Sequence, residues 1–250
     1  MLELYHWEPS GDSAKLLICL KEKGLDYKSH YVDVMKLEQF APDYVKRAPQ
    51  SQVPVLVDDG KVFTDTALTL QYLAEKYPNP RLAPTAATEW YDVQALANQI
   101  DMALSTSVRL LGWNNVTLKS MSQAERDDLR KRVQALPPRP VQAGWAQVTS
   151  DAEASEDQLE NARERIRGAT QRLERTLSLQ SWLAGTAYSI ADISAYAVTR
   201  TLPSLLPTEI NEQKTPKLIK WLSVIDNRPA VKAVLATRKG GKDVYAPPGI

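Results

Sequence analysis

The sequence predicts two units of different class, a small α/β domain followed by a larger all-helical one. Three observations predict it. The first 77 residues alternate strand-like and helical runs and close with a tight hairpin followed by a helix. Pro78-Asn79-Pro80 then pushes the chain out of helix. Beyond that break, apolar residues recur at helical spacing. The expected boundaries are 1–77 for the α/β domain, 78–85 for the linker and 86–250 for the helical domain.

The α/β elements follow in order. Leu2-Glu3-Leu4-Tyr5-His6-Trp7 alternates as a strand, and Pro9 to Ser13 is a loop. Ala14 to Lys23 carries Leu16, Leu17 and Leu20 at helical spacing and closes on Gly24. Tyr27 to Val34 is rich in β-formers and predicts a second strand. After a loop helix, Val53 to Val57 and Lys61 to Phe63 flank the turn pair Asp59-Gly60, a strong hairpin signal. Pro54 belongs at a strand start or edge and suits a cis peptide, which would leave the Val53 N–H and C=O free for an extended ligand. Asp65-Thr66 opens the next helix, gathering backbone N–H groups, a carboxylate and a hydroxyl. Such a place suits a small zwitterion with an ammonium and a carboxylate. The order is that of a thioredoxin-like domain.

In the second unit, Trp90, Val93, Leu96, Ala97, Ile100 and Leu104 form one apolar stripe. Leu159, Ala162, Ile166, Ala169, Leu173 and Leu177 form another, and both are expected in the core of a helical bundle. Between them the segment 114–155 is an excursion. Ser122 to Ala135 is a charged helix opened by the box Ser122-Gln123-Ala124-Glu125, and Pro137-Pro138-Arg139-Pro140, Gly144-Trp145 and the acidic stretch 151–157 follow. Trp113 and Trp145 at its ends suggest a lid or wall. Further on, Ser189 and Asp192 are spaced as a helix cap and its reciprocal partner, with Tyr188 and Ile193 at the staple positions.

Composition narrows the function classes. At 250 residues and 43% hydrophobic content the chain can bury a full core, and no apolar stretch is long enough to span a membrane. A net charge of +1 gives no reason to expect nucleic-acid binding. Two histidines and one cysteine, far apart, make no metal-ligand set. Cys19 falls on the apolar side of the first helix and reads as a small buried hydrophobe. The chain enters directly as a strand with no basic-then-apolar leader, which gives the expectation of a cytoplasmic protein.

The layout resembles the glutathione S-transferase superfamily at every element. Its "N-P-x-G-x-V-P-x-L … E-S" signature corresponds to Ala48-Pro49-Gln50-Ser51-Gln52-Val53-Pro54-Val55-Leu56 … Asp65-Thr66. Ala48, Ser51 and the Asp65-Thr66 pair depart from it, the last keeping a carboxylate and a hydroxyl. The excursion beginning Met121-Ser122, the run Thr186 to Ile193 and the ending Asn211 to Lys232 are similar to the bacterial lignin β-aryl etherases of that superfamily.

The resemblance implies glutathione as co-substrate, a small aromatic electrophile as substrate, and a homodimer or a heterodimer with a related subunit. It implies contacts from Gln52, Val53, Pro54, Asp65 and Thr66. Phe40 stands near where the etherases carry a histidine that helps hold the glycyl carboxylate, which leaves Gln39, Gln52 or Arg47 for that contact. Glutathione reacts as its thiolate, and a hydroxyl at a helix N-terminus favours that anion. Ser13 at the start of the first helix fits best, with Ser10 and then Tyr5 as alternatives. Asp12, beside Ser13, would repel a thiolate unless it turned away to cap the helix. The expected activity is thiolate attack on an electrophilic carbon, in its specific form glutathione-dependent cleavage of a β-aryl ether. A general conjugating enzyme and a non-catalytic binding or assembly module are the alternatives.

Overall fold

A computed structural model describes residues 1–84, 86–137, 145, 154–239 and 245. Strands β1 (Leu2–His6), β2 (Tyr27–Tyr31), β3 (Val55–Asp58) and β4 (Lys61–Phe63) form one sheet in the order β2-β1-β3-β4. β1 and β2 are parallel, with Leu4 opposite Ser29. β1 and β3 are antiparallel, with Leu4 opposite Leu56. The β3–β4 hairpin turns at Asp59 and Gly60, both at positive φ (47° and 84°), the conformation that Asp-Gly accepts cheaply. β3 starts at Val55 rather than Val53, because Pro54 has no N–H to give to the ladder; the Val53-Pro54 peptide is cis.

Helix α1 (Gly11–Glu22) ends in a Schellman motif: Leu25 N–H donates to the Leu20 carbonyl and Gly24 N–H to Lys21, with Gly24 left-handed at φ 62°. The second strand stops at Tyr31, short of Val34. There the Asp33 carboxylate accepts from the Met35 and Lys36 N–H groups and turns the chain into two 3₁₀ turns, Val34–Lys36 and Glu38–Phe40. Helices α2 (Pro42–Arg47) and α3 (Thr66–Lys76) complete this half.

The helical half begins with α4 (Ala87–Gln99), which continues through a π-helical stretch, Ile100–Ser105, into α5 (Thr106–Gly112). A second π stretch, Trp113–Thr117, leads to α6 (Leu118–Ser120), and α7 (Gln123–Gln134) follows with the Ser122–Glu125 box formed. Then come α8 (Glu156–Leu179), α9 (Ile190–Thr199), α10 (Leu202–Leu205), α11 (Pro216–Asp226) and α12 (Pro229–Leu235). The α8 stripe from Leu159 to Leu177 is buried along its length. α9 is buried at every residue and opens on the Ser189–Asp192 box. One apolar core runs from α1 and α3 into these helices. Arg228 adds a bidentate pair to Glu22 (2.5 and 2.9 Å), with its guanidinium 3.8 Å from the Tyr188 ring centre. Among the described residues no helix is long and apolar enough to cross a membrane.

A second, smaller core corrects the expectation for Trp113 and Trp145. Both are buried with Trp7, Val34, Leu37, Phe40, Leu129 and Val133, and the Trp145 ring meets Phe40 and Trp113 edge-on at 6.5 Å. They dock the excursion onto the 3₁₀ segment instead of lining an opening, and Arg132 reinforces the joint by donating to the Met35 carbonyl (3.1 Å). Pro138-Arg139-Pro140, Gly144 and the acidic stretch as far as 153 lie outside the described residues.

Candidate active site

A cleft of about 280 Å³ opens where the two halves meet. On the α/β side it is walled by the start of α1, the cis-proline loop and the start of α3. On the helical side α5 and the end of α9 close it. Seven of the eight sequence-derived site residues are brought together here: Ser10, Ser13, Gln52, Val53, Pro54, Asp65 and Thr66.

Ser10 is the N-cap of α1, but its side chain makes no capping bond. Ser13 lies three residues inside the helix, buried, and its Oγ accepts from the Trp7 backbone N–H at 3.2 Å. That bond uses an oxygen lone pair and leaves the hydroxyl proton to donate elsewhere. At the start of α3, Asp65 is the N-cap and accepts from the Leu68 N–H (2.8 Å), and both Asp65 and Thr66 line the cleft. The Val53 N–H and C=O take part in no loop or turn backbone hydrogen bond among the described residues. The Gln52 carbonyl is held by the Tyr44 hydroxyl at 2.5 Å, which fixes the loop from below. Two helix N-termini thus face one cavity, an arrangement that favours negative charge at two points.

Asp12 does not cap the helix. It pairs with Lys15 at 2.7 Å and approaches Arg109 of α5 at 3.8 Å. Burial pushes its carboxyl up, but Lys15 and then Arg109 outweigh burial, and the pKa lies below the ordinary aspartate value. The charge that would repel a thiolate is therefore present and countered by two cations.

Gln39 is the eighth candidate and does not line the cleft. The 3₁₀ turn that carries it packs into the second core, so its side chain is 0% exposed and neither amide atom has a hydrogen-bond partner. Phe40 is committed to the same core. Arg47 is exposed and covers the Tyr5 ring at 4.4 Å, apart from the cleft. Tyr5 is stacked on His30 (4.2 Å), its hydroxyl donates to Glu3 (3.4 Å), and burial is the main influence raising its pKa. It does not line the cavity, nor does Tyr196, which is fully buried with its hydroxyl on Asp226. Cys19 is buried, and burial pushes its thiol up to about 12, well outside the range of a nucleophile. No group of residues that could hold a metal ion occurs among the described residues.

Family models place this geometry. Residues 4–81 match the model described as "Glutathione S-transferase, N-terminal domain", and residues 138–229 match "Glutathione S-transferase, C-terminal domain". The chain is 30% identical to Protein LigF of Sphingobium sp. strain SYK-6 over 245 residues, 95% of this chain and 94% of that one. The chain belongs to the glutathione S-transferase family.

The transferase also superimposes on the crystal structure of the β-etherase LigF from the same organism, with TM-score 0.84 at 29% identity, covering 94% of this chain and 98% of that one. The glutathione transferase URE2P6 of Phanerochaete chrysosporium, solved with oxidized glutathione, shares the fold at TM-score 0.72 and 23% identity, over 94% of each chain. Glutathione is the co-substrate of this family, and the site has the pieces a tripeptide thiol needs. The transferase's cleft also contains residues that sequence reasoning missed. Val108 and Arg109 come from α5, Ala197 and Val198 from α9, Arg200 and Thr201 follow α9, and Tyr245 comes from the tail. Arg109 carried a faint signal, a charge one position off the apolar spacing of Leu104, Val108 and Leu111; Tyr245 carried none.

Proposed function

We propose that the chain lays glutathione along the α/β wall of this cleft and directs its thiolate at an electrophilic carbon held against the helical wall. The specific reaction proposed is cleavage of the β-aryl ether bond in lignin-derived aromatics. The observation that carries the reading is the convergence of the α1 start, the cis-proline loop and the α3 start on one cavity. Likeness to the β-etherase LigF across nearly the whole of both chains supports the ether as substrate.

In this reading Asp65 takes the γ-glutamyl ammonium, and Thr66 with the N–H groups of α3 takes the γ-glutamyl carboxylate. Val53 pairs by its backbone with the cysteinyl unit, and Pro54 fixes that backbone. Gln52, rather than the buried Gln39, serves the glycyl end. Ser13 donates its hydroxyl to sulfur, with Ser10 the second candidate. The thiolate then forms a carbon–sulfur bond at the carbon next to the ketone. The carbon–oxygen bond breaks, and the aryl oxygen leaves with the electron pair as phenolate, to be protonated by solvent. Arg109 and Arg200 lend the cleft positive charge that favours the departing anion.

The proposal keeps residues 1–77 as the glutathione domain, 78–85 as linker and 86–250 as the substrate domain. It places the enzyme in the cytoplasm as a dimer, identical or with a related subunit. Leu68 on α3 and Tyr91 on α4 support a partner surface: both are exposed, and each lies three residues before one member of the Gln71–Gln94 hydrogen bond (2.8 Å) that joins the two helices.

The test is a glutathione-dependent turnover screen with a model β-aryl ether ketone and a generic aryl halide, beside retention on immobilised glutathione. Phenol release from the ether is expected. Turnover of the halide alone would make this a general conjugating enzyme, and no retention would make it a binding module. Asp65→Ala should weaken glutathione by about 1.5–3 kcal/mol in calorimetry.

A further inference from the structure

Gly112, the last residue of α5 where the helix passes into the second π stretch, has no conformational need to be glycine. Its φ and ψ are −65° and −42°, which any residue adopts, and glycine is disfavoured inside helices. Its need is spatial. A Cβ built there would stand 2.1 Å from Cδ1 and 2.2 Å from Cγ of the Tyr245 ring. No other residue leaves that ring in place.

Lys239 and Tyr245 are each held to one wall. On the α/β side the Lys239 N–H donates to the buried Glu8 carboxylate at 2.9 Å. Glu8 also accepts from the Tyr31 hydroxyl (2.6 Å), and the Lys239 ammonium lies 3.2 Å from the Tyr31 ring centre. On the helical side the Tyr245 carbonyl accepts from Thr117 Oγ1 at 3.2 Å. Tyr245 itself is 7% exposed and lines the cleft, as does Trp7.

We infer that Tyr245 is a specificity-determining residue of the electrophile half of the cleft. Its ring, seated in the notch that Gly112 leaves, is the aromatic wall against which the aryl group of the electrophile packs. The inference rests on the reading of the cleft as a glutathione and electrophile site.

The experiment compares calorimetric affinities for glutathione and for S-(4-nitrobenzyl)glutathione, in which a nitrobenzyl group replaces the thiol proton; the missing thiol is common to every variant, so changes in the ratio between variants report the aryl contact. The proteins are wild type, Tyr245→Phe, Tyr245→Ala, Gly112→Ala and the Gly112→Ala/Tyr245→Ala double variant. The affinity ratio of conjugate to glutathione should fall roughly three- to tenfold in Tyr245→Ala, the scale of one lost aromatic contact. Gly112→Ala should match it by evicting the ring, the double variant should be no worse than either, and Tyr245→Phe should stay like wild type. Because the ratio cancels a general loss of folded protein, a purely structural role would leave it unmoved. An unchanged ratio in Tyr245→Ala, with glutathione still bound, overturns the inference alone. An unchanged ratio in Gly112→Ala overturns the seat. Failure of wild type to bind glutathione overturns the reading of the cleft itself, and this inference with it.

Discussion

The ammonium of Lys15, 1% exposed, stands 2.7 Å from the carboxylate of Asp12 on the wall of the cleft. A lysine buried that deeply keeps its charge only with a partner, and Asp12, drawn toward Arg109 as well, supplies it. The acidic residue beside the candidate thiol-activating serine is thereby held ionised and neutralised at once.

Asp12→Asn separates these roles. Losing the carboxylate removes a 2.7 Å ion-pair partner from the buried Lys15, and the protein should lose about 1–3 kcal/mol in denaturant unfolding, less than for a wholly enclosed pair because Asp12 is 32% exposed. The same change removes a negative charge from the thiolate's surroundings. The thiol of bound glutathione should therefore titrate at lower pH than in wild type, read from thiolate absorbance. A thiol titration shifted upward would show that Asp12 does not face the sulfur.

Ser13→Ala should lower turnover about tenfold with glutathione affinity nearly intact, because the α1 N-terminus still favours the anion. For a β-aryl ether ketone the fall should be smaller, since the carbon is already activated and the leaving group is stable. Tyr5→Phe should do nothing, its hydroxyl being engaged with Glu3 outside the cleft. If Ser10→Ala moves the thiol titration and Ser13→Ala does not, Ser10 is the activating residue.

Ser51 stands where the family signature has glycine, and the backbone shows why. Its φ is 55°, in the left-handed region, and its hydroxyl is buried without a hydrogen-bond partner. Ser51→Gly relieves both burdens, offset in part by the greater freedom of glycine in the unfolded chain. The expected gain is about 1–2 kcal/mol, measured as a rise in thermal midpoint. A lower midpoint would mean that the serine side chain supports the cis-proline loop.

Asp192→Ala should cost more than a helix cap alone. The cap and its box account for about 0.5–2 kcal/mol. Asp192, however, is 0% exposed and also accepts from the Leu183 N–H (3.0 Å) and the Trp221 indole N–H (2.9 Å). Burial is the largest influence on its pKa and raises it, while the bonds from Leu183, Trp221 and Ser189 pull it the other way. Removing it strands those donors in the core, and a loss of about 3 kcal/mol or more is expected in urea unfolding. A loss confined to the range of the cap would show that Trp221 and Leu183 find other partners.

Local signals were legible because their physics is local. Asp59-Gly60 made a hairpin since two adjacent residues accept positive φ, and Gly24 closed α1 for the same reason. Ser122 with Glu125, and Ser189 with Asp192, formed their boxes because both partners lie within one helical turn. The pairing of Asp65-Thr66 with Val53-Pro54 was readable through the family signature that spans them. The helical wall was not readable. Arg109, Arg200 and Tyr245 are drawn to the cleft from three distant parts of the chain, and only the packing of α5, α9 and the tail brings them together. Gln39 shows the converse: a polar residue in the right stretch was carried into the core because its 3₁₀ turn docks on Trp145 and Leu129 through Phe40 and Leu37. Sequence by itself determined the turns and the caps, whose contacts span few residues, and the family signature marked the residues of the α/β wall of the cleft. The wall facing it was decided by tertiary structure alone, because burial and long-range packing choose which side chains of an already formed helix meet the cavity.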